Sequence, residues 1–128
     1  MIYTSYYANH RNFPVGLHPI CISLWPPRGF HGDRKLELAP RKDLLFDIKN
    51  GIIDTEQYTV RFNQQLESLD VRKIASDVEN CIMLCYEKPE DFCHRHLVAA
   101  WLKTAGYQVE ELSNMKIKKE VSKKDFSD

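Results

Sequence analysis

The stretch Cys81–Leu112, CIMLCYEKPEDFCHRHLVAAWLKTAGYQVEEL, constrains the fold of this chain more than any other. It opens on an apolar run, Cys81–Tyr86, of the length and character of a buried strand. A turn rich in Pro and acids follows, Glu87 to Asp91. Leu97, Val98, Ala100, Trp101, Leu102 and Ala105 then give a helical stripe, which Gly106 closes. Tyr107–Leu112 reads as a second strand. Strand, helix and strand in that order make a βαβ unit, with the right-handed crossover such units take. The fold predicted is α/β: a single compact domain with a mostly parallel sheet of about four to five strands, covered by helices. Ligands of open α/β sheets bind outside the carboxyl ends of the strands. That is where Cys85, Glu87, Cys93, His94, Arg95 and His96 fall.

At 128 residues the chain is long enough for one domain with its own core. Residues 1–112 are read as that domain, and 113–128 as a flexible tail with five lysines against three acids. Basic and acidic residues cancel, 18 against 18, which weighs against a surface gripping long nucleic acid by counterion release. A small basic pocket stays compatible with that balance. No apolar run reaches membrane-spanning length, so no membrane is expected. The opening MIYTSYY lacks a basic segment followed by an apolar one, so no signal peptide is visible. The four cysteines cluster three to one, unlike a secreted disulfide framework, and imply a reducing, cytoplasmic setting.

Ile2–Tyr7 is β-branched and aromatic, and reads as the first strand, with the hydroxyls of Thr4 and Ser5 on opposite faces. A loop from Ala8 to Leu17 leads to a second strand at about Pro19–Trp25. The gap of about nine residues is short for a parallel crossover. Tight crossover and antiparallel pairing both stay open, and the choice decides whether Ser5 and Tyr6 lie near Cys85. Pro26–Gly32 is a stiff turn. Either it holds Trp25, Arg28 and His31 as a pocket wall, or it is a surface loop with a docked tryptophan. Helices follow: one from Pro40 through Leu44, Leu45 and Ile48 to Gly51, and one capped by Asp54 with Gln57 in a capping box. The second carries the stripe Tyr58, Phe62, Leu66 and Leu69, and Asp70 caps a third. Their aromatics are read as core.

Cys93 is the candidate nucleophile. The thiolate is the reactive form, and adjacent His94 and Arg95, with a helix N-terminus, favour it, whereas Glu90 and Asp91 oppose it. The start of the helix is left between Asp91 as N-cap and Pro89 as first helical residue. Arg95 offers a planar fork for carboxylate or phosphate; its alternatives are a surface arginine, or a structural one that satisfies buried carbonyls or pairs with Glu87. His94 is either the base for Cys93 or a helix-turn hydrogen-bonding group, and Glu87 either a general base, a group orienting His94, or a turn carboxylate. His96, near Ala99 and Lys103, is placed on the solvent side. Zinc would need Cys85, Cys93 and one histidine. Cys81 and Cys85, ~13 Å apart along a strand, cannot share an ion. No metal or cofactor is assigned. A redox pair of Cys85 and Cys93 stays open, and Cys21 and Cys81 are read as buried small residues.

The segment LCYEKPEDFCHRHLVAAWL, together with IYTSYYAN, PICISLWPP and LELAP, resembles a bacterial and phage family catalogued as domain of unknown function number 488. The resemblance covers Met1 to about Leu112, with Cys93-His94-Arg95 its most specific part. It implies a compact α/β domain and, by association, nucleotide or nucleic-acid metabolism. Together these readings predict an anion-binding pocket for a nucleotide-like ligand. Cys93, His94 and Glu87 would be catalytic, and Arg95, Cys85, Tyr6, Ser5, Trp25 and Arg28 would bind. The reaction would be that of a thiol-dependent hydrolase or transferase. The alternative is a non-catalytic nucleotide- or protein-binding module in which the Cys-His-Arg triplet is structural.

Overall fold

The computed structural model describes Met1–Ser113, so the reading of a flexible lysine-rich tail lies outside the described residues. The elements are β1 (Ile2–Tyr6), β2 (His18–Cys21), β3 (Asp33–Arg34), α1 (Lys42–Lys49), α2 (Thr55–Glu67), α3 (Val71–Asp77), β4 (Cys81–Cys85), α4 (His94–Thr104) and β5 (Val109–Glu111). Short 3-10 turns lie at Tyr7–Asn12 and Leu36–Leu38. The strands form one parallel sheet in the order β3-β2-β4-β1-β5, as the α/β reading predicts. Among the described residues, no helix is long and apolar enough to cross a membrane.

Strand β4 is central and buried along its whole length, which explains its unbroken apolar run. It lies between β1 and β2, so the first two strands do not pair with each other at all. The choice between tight crossover and antiparallel pairing assumed that strands adjacent in sequence are adjacent in the sheet. Instead Tyr7–Leu17 steps across one strand, and β1 and β2 each run parallel to β4. In β1, Tyr6 stands in register with Cys85 and Ser5 with Leu84. The two-residue strand β3 carried no recognisable pattern in the sequence.

Among the described residues, the four helices α1–α4 pack on one face of the sheet. Leu44, Phe62, Leu66, Ile74, Val98 and Leu102 close there on Ile2, Ile20, Met83 and Val109. The other face, built on Ile82 and Leu84, is covered by aromatic side chains from loops: Tyr7, Phe13 and Phe30. Helix α2 begins as its sequence predicts. Asp54 accepts from the Gln57 N–H at 2.8 Å, and the Gln57 side chain returns to the Asp54 N–H at 3.0 Å. Asp54→Ala is expected to lower stability by about 1 kcal/mol, read as a shift of the urea midpoint at constant slope. A change below about 0.3 kcal/mol would show that tertiary packing alone holds the helix start.

Candidate functional site

Cys85 ends β4, and Cys93 precedes α4. Between them Pro89 and Glu90 turn, with the Asp91 N–H bonded to the Lys88 carbonyl at 3.0 Å. That turn ends before the helix begins, so neither Asp91 nor Pro89 starts α4. The N-cap is Cys93 itself: its backbone is extended, and its sulfur accepts from the Arg95 N–H at 3.4 Å. A sulfur at that position meets the unpaired N–H groups and positive end of the helix, which favour the thiolate.

The Sγ atoms of Cys85 and Cys93 are in disulfide contact, with their Cα atoms 7.7 Å apart. The pair joins the end of β4 to the N-cap of α4. Cys21 and Cys81 are free thiols buried elsewhere. The guanidinium of Arg95 sits beneath the sulfurs: Nη1 lies 2.9 Å from Cys85 Sγ and 3.7 Å from Cys93 Sγ.

Arg95 is fully buried. Its Nε and Nη2 grip both carboxylate oxygens of Glu111 on β5, at 3.0 and 2.8 Å, and Nη1 also donates to the Glu87 carbonyl at 2.9 Å. The fork foreseen for a ligand anion is therefore occupied by the protein's own carboxylate. Glu111 in turn accepts from Thr4 Oγ1 at 2.6 Å. The sequence reading missed Glu111. Its signal was a charge two residues from Val109, and so in phase with the buried face of β5.

His94 is buried, edge-on to Phe62 at 5.5 Å. Its Nε2 is 2.6 Å from the Ile22 carbonyl. A carbonyl only accepts, so Nε2 carries the proton and Nδ1 presents a lone pair toward Cys93 Sγ, 3.9 Å away. Burial pushes the imidazole pKa down to about 4, despite the bond to Ile22. His94 is thus neutral at physiological pH, and Ile22, not Glu87, orients it. The exposed Glu87 carboxylate faces the same cavity. His96 is not on the solvent side: its Nε2 is enclosed without a hydrogen-bond partner, because α4 turns that face toward the Pro89–Asp91 turn.

The two sulfurs and His94 line a cavity of about 300 Å³. Trp25, Leu45, Ile48, Tyr58 and Phe92 wall it, and Lys49 stands at its edge. Tyr58 meets Phe92 edge-on at 5.3 Å, and burial raises its phenol pKa well above the usual range, with the Glu87 charge adding to the effect. Trp25 is therefore a wall, as one reading of its loop had it. The helix residues Leu45, Ile48 and Tyr58, read as pure core, are walls as well. The other expected contributors lie apart. Ser5 belongs to the opposite face, where its hydroxyl donates to the Leu112 carbonyl at 2.8 Å. Arg28 and His31 line a different cavity, over the opposite face of the sheet beside Leu84. Tyr6 is half-buried on β1 beside Cys85 without lining the cavity.

Cys85 Sγ, Cys93 Sγ and His94 Nδ1 all lie within 4.8 Å of one another, a donor set that a soft cation such as zinc accepts. The bond from Nε2 to a backbone carbonyl is the support a metal-bound histidine uses. Arg95, a cation against the same sulfurs, opposes such an ion.

The chain belongs to the DUF488-N3 family: the model DUF488-N3a, described as "Active DUF488-N3 subclade", matches residues 6–106. This bears out the resemblance carried by the Cys93-His94-Arg95 segment and the strands before it. No curated protein and no solved structure matches the chain.

Proposed function

We propose that the chain is a thiol-dependent enzyme, a hydrolase or transferase, whose nucleophile is reduced Cys93. The observation that carries this reading is the position of its sulfur, which caps α4 and opens onto the cavity floor. The helix N-terminus and Arg95 stabilise the thiolate, and His94 Nδ1 accepts from the thiol. The thiol proton would pass to His94 Nδ1 as the Cys93 sulfur bonds to the electrophilic atom of the ligand, and the leaving group would depart with that proton. Water or a second substrate would then displace the sulfur. Arg95 is a positioning residue in this scheme, since Glu111 holds its fork. The aromatic walls suit a planar, nucleotide-like ligand, with Lys49 as the cation available to its anionic group. A reducing, cytoplasmic setting fits the need for free sulfurs.

A second reading rests on the three clustered donors: Cys85, Cys93 and His94 hold a metal, and the sulfurs are ligands. One experiment separates the two. With the pair reduced, iodoacetamide should modify Cys93 at neutral pH about tenfold faster than a free cysteine, which is only a few per cent thiolate there. Peptide mapping and Cys93→Ser identify the site. A rate at or below that of free cysteine removes the nucleophile and leaves a non-catalytic binding module. Modification that requires a chelator favours the metal.

A further inference from the structure

A larger cavity, about 600 Å³, lies over the other face of the sheet, against Leu84. Its apolar surface is Tyr7, Phe13 and Phe30, with Tyr7 edge-on to Phe30 at 5.6 Å. His10, Arg28 and His31 stand around it, all exposed. Among the described residues, no carboxylate lines it, and none of these three side chains is in an ion pair. The fold builds this arrangement. The Phe30 N–H bonds back to the Pro27 carbonyl at 3.2 Å, and Gly29 turns at φ 81°. Gly32 lets the loop press on β2, since a Cβ there would collide with the Pro19 carbonyl. The Tyr7 hydroxyl is paired with Ser23 at 2.7 Å, so the ring presents its apolar surface and not its polar tip.

We propose that this cavity binds a planar aromatic anion, its ring among Tyr7, Phe13 and Phe30 and its charged group on Arg28. His10 and His31 offer further donors to the same group. Aromatic surfaces select a flat ring, and an unpaired guanidinium beside them selects a carboxylate or phosphate attached to it. The site is independent of the thiol reading, because Tyr7 and Tyr86, 4.8 Å apart, stand between the two cavities.

The test uses the full chain with adenosine 5′-monophosphate, a compact aromatic anion, and with adenosine and inorganic phosphate as its separate halves. Calorimetry gives affinity, and histidine ring resonances locate the ligand. The nucleotide should bind saturably, each half about tenfold or more weaker, with His10 and His31 resonances shifting. Arg28→Gln, at an exposed position without partners, should weaken binding about tenfold while leaving Cys93 alkylation unchanged. Cys93→Ser should leave binding unchanged. No saturable binding, equal binding by Arg28→Gln, or loss confined to Trp25→Ala in the thiol cavity would overturn the proposal.

Discussion

Arg95→Ala is expected to lower the unfolding free energy of the reduced protein by about 3–5 kcal/mol, the usual result of removing one partner of a buried ion pair. Arg95 is wholly enclosed, and its side chain serves Glu111, the Glu87 carbonyl and Cys85 at once. Alanine leaves the Glu111 carboxylate without its bidentate donor, the Glu87 carbonyl unpaired and a cavity where the guanidinium lay. Arg95→Lys should recover little, since a single ammonium cannot bridge two carboxylate oxygens and a carbonyl on different elements. The double variant Arg95→Met with Glu111→Leu should be less destabilised than either single charge removal, because it takes both charges out together. Urea unfolding of the wild type, Arg95→Ala, Arg95→Lys, the single variants Arg95→Met and Glu111→Leu, and the double variant, with equal slopes as the check on two-state behaviour, measures this. A loss below about 1 kcal/mol for Arg95→Ala would mean that the pair is hydrated and contributes as a surface bridge does.

The same residue shows what the sequence hides. Local patterns were legible: the apolar run of β4, the Asp54–Gln57 box and the glycine stop at Gly106 each rest on neighbours a few residues away. The meeting of Cys85, Cys93, His94 and Arg95 was legible too, because a strand handing over to a helix places them together. Strand order was not, since inserting β4 between β1 and β2 is a long-range choice that no local pattern records. Cys93 was not recognised as an N-cap because Asp91, a commoner capping residue, stands two positions ahead. The role of Arg95 depends on Glu111, brought beside it only when β5 joins the edge of the sheet. Tyr58 and Ile48 lie on apolar helix stripes, and such a stripe looks the same whether it closes on a core or on a cavity.

Acid should destabilise this protein in a window set by His94. The imidazole is neutral in the fold, with its pKa held at about 4, against an ordinary 6.5. Between those values the unfolded chain binds a proton that the folded chain refuses, so stability rises with pH there. The contribution is fully present above about 6.5, is lost as pH falls toward 4, and is constant below that. Its full size is on the order of 3 kcal/mol. His96, whose pKa burial also lowers, adds in the same direction. The depressed carboxyls of Asp77 and Glu37 act too, but their losses begin only near or below the ordinary carboxylate range. Urea midpoints of reduced, chelator-treated protein, taken from about pH 7 to about pH 4, give the wild-type curve. His94→Gln keeps a donor for the Ile22 carbonyl and has no proton to gain. Its curve should be flatter over the same window, and the difference between the two curves isolates His94. Parallel curves would mean that His94 reaches water and protonates freely in the fold. The neutral imidazole that presents Nδ1 to Cys93 would then be lost, and with it the part of the proposed thiol chemistry that depends on it.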